Sequence, residues 1–182
     1  MFVGVEADML APGVLSASEE TLSAYDYVSV ACPHWQSDII ARPVVNTRDA
    51  LVQAQYDYML TLSQIPYVDV VVHPFTFGSA STYIDVDQKA MMACYTIADY
   101  DRIIDGFLKN DIACELHANL KKSDYAQSLE PFIRRCCSRG VKFSLGSDAH
   151  EIRWVGSILG ASELIASFNI PDELAFVPTR RH

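Results

Sequence analysis

Apolar residues gather in five short runs along the chain, at residues 2–6, 27–32, 68–73, 112–115 and 141–145. Each run is rich in Val, Ile, Phe or Tyr, and none alternates steadily with polar residues. That pattern predicts parallel strands covered by helices. Between several of them the period changes to three and four. Leu51, Ala54, Tyr58, Leu62 and Ile65 make one helical face, preceded by Asn46-Thr47 as an N-cap pair. Tyr100, Ile103, Ile104, Phe107 and Leu108 make a second face. Leu129, Phe132, Ile133 and Cys136 make a third, with Gly140 as its stop. Val155, Ile158, Leu159, Ile165 and Phe168 make a fourth, ended near Pro171. Strands alternating with helices imply βα units and a parallel sheet, hence an α/β fold. Residues 76–92 fit neither period. Their opening, Thr-Phe-Gly-Ser-Ala-Ser-Thr, suggests a flexible loop over one end of the sheet.

Length and composition narrow this picture. The 182 residues suit one domain with a real core, and no linker or repeat divides them. A net charge of −9 argues against nucleic-acid binding through a basic surface. It leaves room for a phosphorylated small substrate, because a bound cation reverses the local field. The five cysteines are odd in number and lack CxxC spacing, which points to a reduced, cytoplasmic protein. No segment is long and apolar enough to span a membrane, and Met1 leads straight into a strand-like run without the basic stretch of a signal peptide.

The chemistry gathers where the strands stop. Glu6 follows the first run, with Asp8 two residues on. His34 follows the second and His73 the third. The fourth ends in Glu115 and His117, the fifth in Asp148 and His150. Four of the five histidines therefore follow strand ends. Parallel βα folds place their sites at this face because all the C-terminal strand ends converge there. Taken singly, each residue has a plainer use: a hydrogen-bonded loop histidine, a paired carboxylate, or Asp148 as a helix cap. Taken together they must explain ionisable groups after every apolar run, and burying them unpaired costs several kcal/mol each, roughly. A cluster binding a divalent metal (zinc, manganese or iron) satisfies them at once. Cys32 and Cys114 lie in apolar context, where a thiol is packing rather than a nucleophile. GxSxG, P-loop and GxGxxG motifs are absent.

The segments "GVEADML", "VVVHPF", "CELHAN" and "SLGSDAH", in this order and each at a strand end, resemble the PHP (polymerase and histidinol phosphatase) family of metal-dependent phosphoesterases. The likeness extends over nearly the whole chain. It implies a distorted βα barrel of TIM-barrel-like type, parallel strands with outer helices, and up to three divalent metals acting on a small phosphorylated molecule. By position Glu6 matches the family's bridging carboxylate. His34 and His73 match the two histidines that follow it, and Asp148 and His150 match the final ligand pair, which would also orient the attacking water.

Two departures qualify the resemblance. The family opens with an HxH motif and two further histidines, and nothing before Glu6 supplies them. A barrel of this type takes about 250 residues. The expectation is a single domain over residues 1–182 that forms the C-terminal two-thirds of the barrel. A missing N-terminal segment or a dimer partner would cap its open edge, and fewer than three metals would bind. In "CELHANLKK", His117 takes the place of the family's Asn, and either Lys121 or Lys122 takes the role of its phosphate-binding Arg, as a point charge instead of a planar fork, or both stand solvated on a loop. Two other readings stay open: a catalytically incomplete remnant serving a structural or regulatory role, and a different metal-dependent barrel hydrolase.

Overall fold

The computed structural model describes residues 2–44, 46–81, 84–117 and 124–179, without the side chains of His117 and Asp124. Six strands form one mixed sheet in the order β2-β1-β3-β4-β5-β6. They are β1 (Gly4–Ala11), β2 (Val14–Leu15), β3 (Tyr27–Ala31), β4 (Val70–Val72), β5 (Ala113–His117) and β6 (Phe143–Gly146). Only β2 runs antiparallel, turning back on the end of β1 through Gly13 at φ +81°. The sheet is open among the described residues, with β2 and β6 at its ends. The far side of β6 carries a single parallel bridge from Phe143 to Ala175.

The helices are α1 (Glu19–Leu22), α2 (Arg48–Leu62), α3 (Gln88–Met92), α4 (Ile97–Asn110), α5 (Asp124–Arg139) and α6 (Leu159–Phe168). Local chemistry sets their limits. Thr47 caps α2 by accepting from the Ala50 N–H. Thr96 and Asp99 form a reciprocal capping box on α4. Gly140, at φ +83°, follows α5, a left-handed position that costs glycine little. Replacing Thr96 by alanine removes the acceptor for the Asp99 N–H and is expected to destabilise the fold by about 1 kcal/mol. Urea unfolding measures it, and an unchanged midpoint would show that the cap contributes nothing.

The two faces of the sheet differ in kind. Ala7, Met9, Val28, Val30, Val71, Cys114, Leu116 and Phe143 share one core with apolar residues from all six helices. The opposite face holds a separate small cluster, Ala31, Val70, Val72 and Ala113, packed against Phe176, with no helix residue in it. Register then decides where the polar residues go. Glu6 pairs with Ser29 and Asp8 with Ala31, so both carboxylates stand on the helix-free face, as does Glu115 two residues after Ala113.

Several sequence expectations shift. The first strand runs on to Ala11, so Glu6 and Asp8 lie within β1 and not beyond its end. Among the described residues, helices cover the strands on one face only. Of the expected fourth helical face, Val155 and Leu159 are 72% and 77% exposed; the buried residues of α6 are Ala161 and Leu164, which that face did not include. The reason is local: residues 152–154 form a separate 3₁₀ turn, so the helical phase begins only at Leu159. Residues 76–92, expected as a flexible loop, are hydrogen-bonded and packed where described. Phe75, Phe77 and Ala80 are fully buried, and the Gln88 amide bridges Phe75 O and Phe77 N–H.

Candidate metal centre

Glu6, His34 and His73 converge from three different strands. Each offers one ligand atom, and these atoms all lie within 4.8 Å of one another. Glu6 projects from β1. His34 follows β3, and its main chain is held on both sides. Gln55 Nε2 donates to Cys32 O at 2.7 Å, and Trp35 N–H donates to Ser79 Oγ at 3.1 Å. His73 follows β4 directly and adopts φ +33°, a sparsely populated conformation for a residue with a side chain. Its N–H donates to Glu115 Oε2 at 2.9 Å, and its carbonyl accepts from Thr76 Oγ1 at 2.5 Å. Neighbouring bonds brace that turn: Tyr125 OH donates to Pro74 O and meets Thr76 Oγ1 at 2.9 Å.

The donor atoms suit a divalent ion. The two Nε2 atoms are 3.1 Å apart, and His73 Nε2 is 3.7 Å from Glu6 Oε1. Two nitrogens each about 2.05 Å from one metal are separated by ~2.9 Å at a right angle and ~3.3 Å at the tetrahedral angle. The observed separation falls between these values. Two imidazoles and a carboxylate, with one side open to a cleft, match the donor set of a hydrolytic metal site. His34 Nδ1 lies 2.5 Å from Asp8 Oδ1, the carboxylate–histidine arrangement that accompanies metal-ligating histidines.

Electrostatics link these groups. The His73 imidazole holds the Glu6 carboxyl below the usual carboxylate range. Burial works against this, and the charges of His34 and His150 add to it. Burial pulls His73 down, but Glu6, Glu115 and Asp148 together carry it above its ordinary value. Glu115 is only 8% exposed, and that burial raises it to about 7, against the opposing pull of the His73 N–H. An acid raised in the folded state keeps a proton that the unfolded chain has already lost. Its contribution to stability is therefore full below its unfolded value of 4.5 and disappears as pH rises through about 7. In metal-free protein, Glu115→Gln is expected to flatten the loss of stability between pH 5 and 8. Denaturant titrations at both ends test it, and an identical pH slope in the variant would refute it.

The remaining expected residues fall as follows. Asp148, at φ +45°, and His150 line the same cleft of about 950 Å³ as Glu6, His34 and His73, but lie outside the close ligand group. His150 is 84% exposed and donates from Nδ1 to Asp148 O at 3.0 Å. Lys121 and Lys122 lie outside the described residues, and so does the side chain of His117. Asp8 and Glu115 stand among the ionisable groups at the strand ends, but the resemblance gives neither a part in the site; the structure places both beside it. The signal was present for Asp8, since a residue two places from Glu6 in a strand shares its face. Three of the five thiols are packing: Cys32, Cys114 and Cys136 are buried, and burial pushes Cys32 and Cys136 well above the ordinary thiol range.

Fold and site together define an α/β protein whose mostly parallel sheet carries a histidine–carboxylate group near enough to bind a metal. The chain matches no protein-family model and none of the curated proteins. Among the described residues, no helix is long and apolar enough to cross a membrane.

Proposed function

We propose that this chain is a metal-dependent phosphoesterase of the PHP type, acting on a small phosphorylated molecule. The observation that carries the reading is the convergence of Glu6, His34 and His73 at the mouth of a parallel sheet. The cleft beside them, about 950 Å³, falls within the range of small-molecule sites. A sheet with helices on one face and small residues on the other supports the barrel-like reading, in which the bare face looks inward. That bare face also favours a cover from a further segment of polypeptide or a second chain.

Glu6, His34 and His73 would hold one ion, zinc, manganese or iron. A divalent ion bound there lowers the pKa of a water molecule and polarises a phosphoryl oxygen. Asp148 and His150, on the cleft wall, would bind a second ion or orient the attacking water. The rival amide hydrolases of similar fold use a lysine at a strand end, and no lysine lines the cleft among the described residues.

Metal analysis of purified, reconstituted protein is expected to give one tightly bound ion per chain. Three ions, or none, would overturn this assignment. A panel of phosphomonoesters assayed with manganese, iron and zinc is expected to show hydrolysis that chelation abolishes. Hydrolysis that survives chelation, or none with any metal, would remove the phosphoesterase reading and leave the catalytically incomplete alternative.

A further inference from the structure

Two histidines meet at the site, but only one is prepared to bind through the nitrogen it presents. His34 Nδ1 lies 2.5 Å from Asp8 Oδ1. A carboxylate only accepts, so the shared proton sits on Nδ1, and Nε2 of a neutral ring carries its lone pair. That Nε2 faces His73 Nε2 at 3.1 Å. With a lone pair on His34, the proton in this contact belongs to His73 Nε2. Among the described residues, buried His73 Nδ1 has no hydrogen-bond partner, so none of them draws the His73 proton to the far side of its ring. The two rings thus stand in opposite tautomeric states before any ion arrives.

We infer that Asp8 is a positioning residue that sets the tautomer and ring angle of His34, making it the first, preset ligand of the metal centre. Asp8 suits the role because its place is fixed independently of the site. Its main chain pairs with Ala31 on one side, and on the other its N–H donates to Ser16 Oγ at 3.0 Å and its carbonyl accepts the Ser16 N–H at 2.8 Å. The carboxylate is therefore aimed by the sheet, and His34 is aimed by the carboxylate. His73 is held instead through its main chain, by Glu115.

The inference rests on reading Glu6, His34 and His73 as ligands, and its test separates the two claims. Nitrogen-15 NMR of histidine-labelled, metal-free protein reads the tautomer directly. His34 is expected as the Nδ1–H form in the native chain, and Asp8→Ala is expected to release it to a mixture dominated by Nε2–H. Asp8→Asn keeps an oxygen acceptor and is expected to restore the Nδ1–H form in part. Titration with cobalt(II), followed by visible absorption, is expected to show affinity lowered ~10–100-fold in Asp8→Ala, with Asp8→Asn in between. An Nε2–H form of His34 in the native chain, or equal cobalt affinity in Asp8→Ala, overturns the role of Asp8. If Asp8→Ala does not fold, the native spectrum still decides. If the native chain binds no cobalt while His34 is Nδ1–H, the ligand reading fails and the orienting contact stands.

Discussion

Replacing His73 by alanine is expected to lower affinity for zinc or manganese by at least about 100-fold. Loss of a residue that merely orients a ligand already costs 10–100-fold, and His73 is a ligand candidate in its own right. Its Nε2 is the atom that lies close to both other donors, 3.1 Å from His34 Nε2 and 3.7 Å from Glu6 Oε1. Without it a single imidazole and a half-exposed carboxylate remain, a pair common on protein surfaces. The side chain of His73 is only 12% exposed, so truncation also opens a hole. His73→Asn controls for this, because asparagine tolerates positive φ and keeps the turn after β4. Isothermal titration of both variants reads the effect. Native affinity in a folded His73→Asn protein would exclude the centre proposed for this cleft.

Gly146→Ala is the second large effect, and it arises inside the "LGSDAH" segment. A Cβ at Gly146 would stand 2.0 Å from Glu115 Oε1 and 3.0 Å from its Cδ. Elsewhere a carboxylate end could swing aside. Here it is buried, and Oε2 holds the His73 N–H at 2.9 Å. Moving it leaves that buried donor unpaired, at about 1–3 kcal/mol. Overpacking carries a similar cost. The gain from a stiffer unfolded chain, about 0.4–1 kcal/mol, is smaller. Net destabilisation of about 1–3 kcal/mol is expected, together with weaker metal binding as His73 shifts. A double-mutant cycle isolates the cause: in a Glu115→Ala background the same change should be close to neutral. An equal cost in both backgrounds would place the strain elsewhere.

Much of the fold was legible because it follows from local pattern. The cores of the five expected strands all appear, and Thr47 and Gly140 mark helix limits for reasons internal to their own segments. The errors share a physical cause. A charged residue at the end of an apolar run suggests that the first strand stops at Glu6, yet the face that the described helices leave uncovered has room for carboxylates within β1. Val155 and Leu159 were grouped with the buried helical face because period alone cannot tell where a 3₁₀ turn gives way to a helix. Residues 76–92 were read as flexible because glycine, serine and threonine are common in loops. What orders them is Gln88 within the segment, together with Trp35 and Tyr125, which arrive from elsewhere in the chain.

Local pattern along the chain is enough to predict the alternation of strands and helices and to gather Glu6, His34, His73, Asp148 and His150 near one end of the sheet. Both rest on short-range rules, the periods of strand and helix and the convergence of parallel strand ends. Which of those residues meet depends on contacts between distant parts of the chain. Register puts Asp8 and Glu6 on one face, and the turn after β4 brings His73 Nε2 to His34 Nε2. Asp148 and His150 remain on the cleft wall. Glu115 gained its place beside His73 only in the tertiary structure, because a hydrogen bond across 42 residues leaves no trace in the local pattern at either end; Asp8 shares the face of Glu6 by strand period, but its contact with His34, 26 residues away, is likewise tertiary.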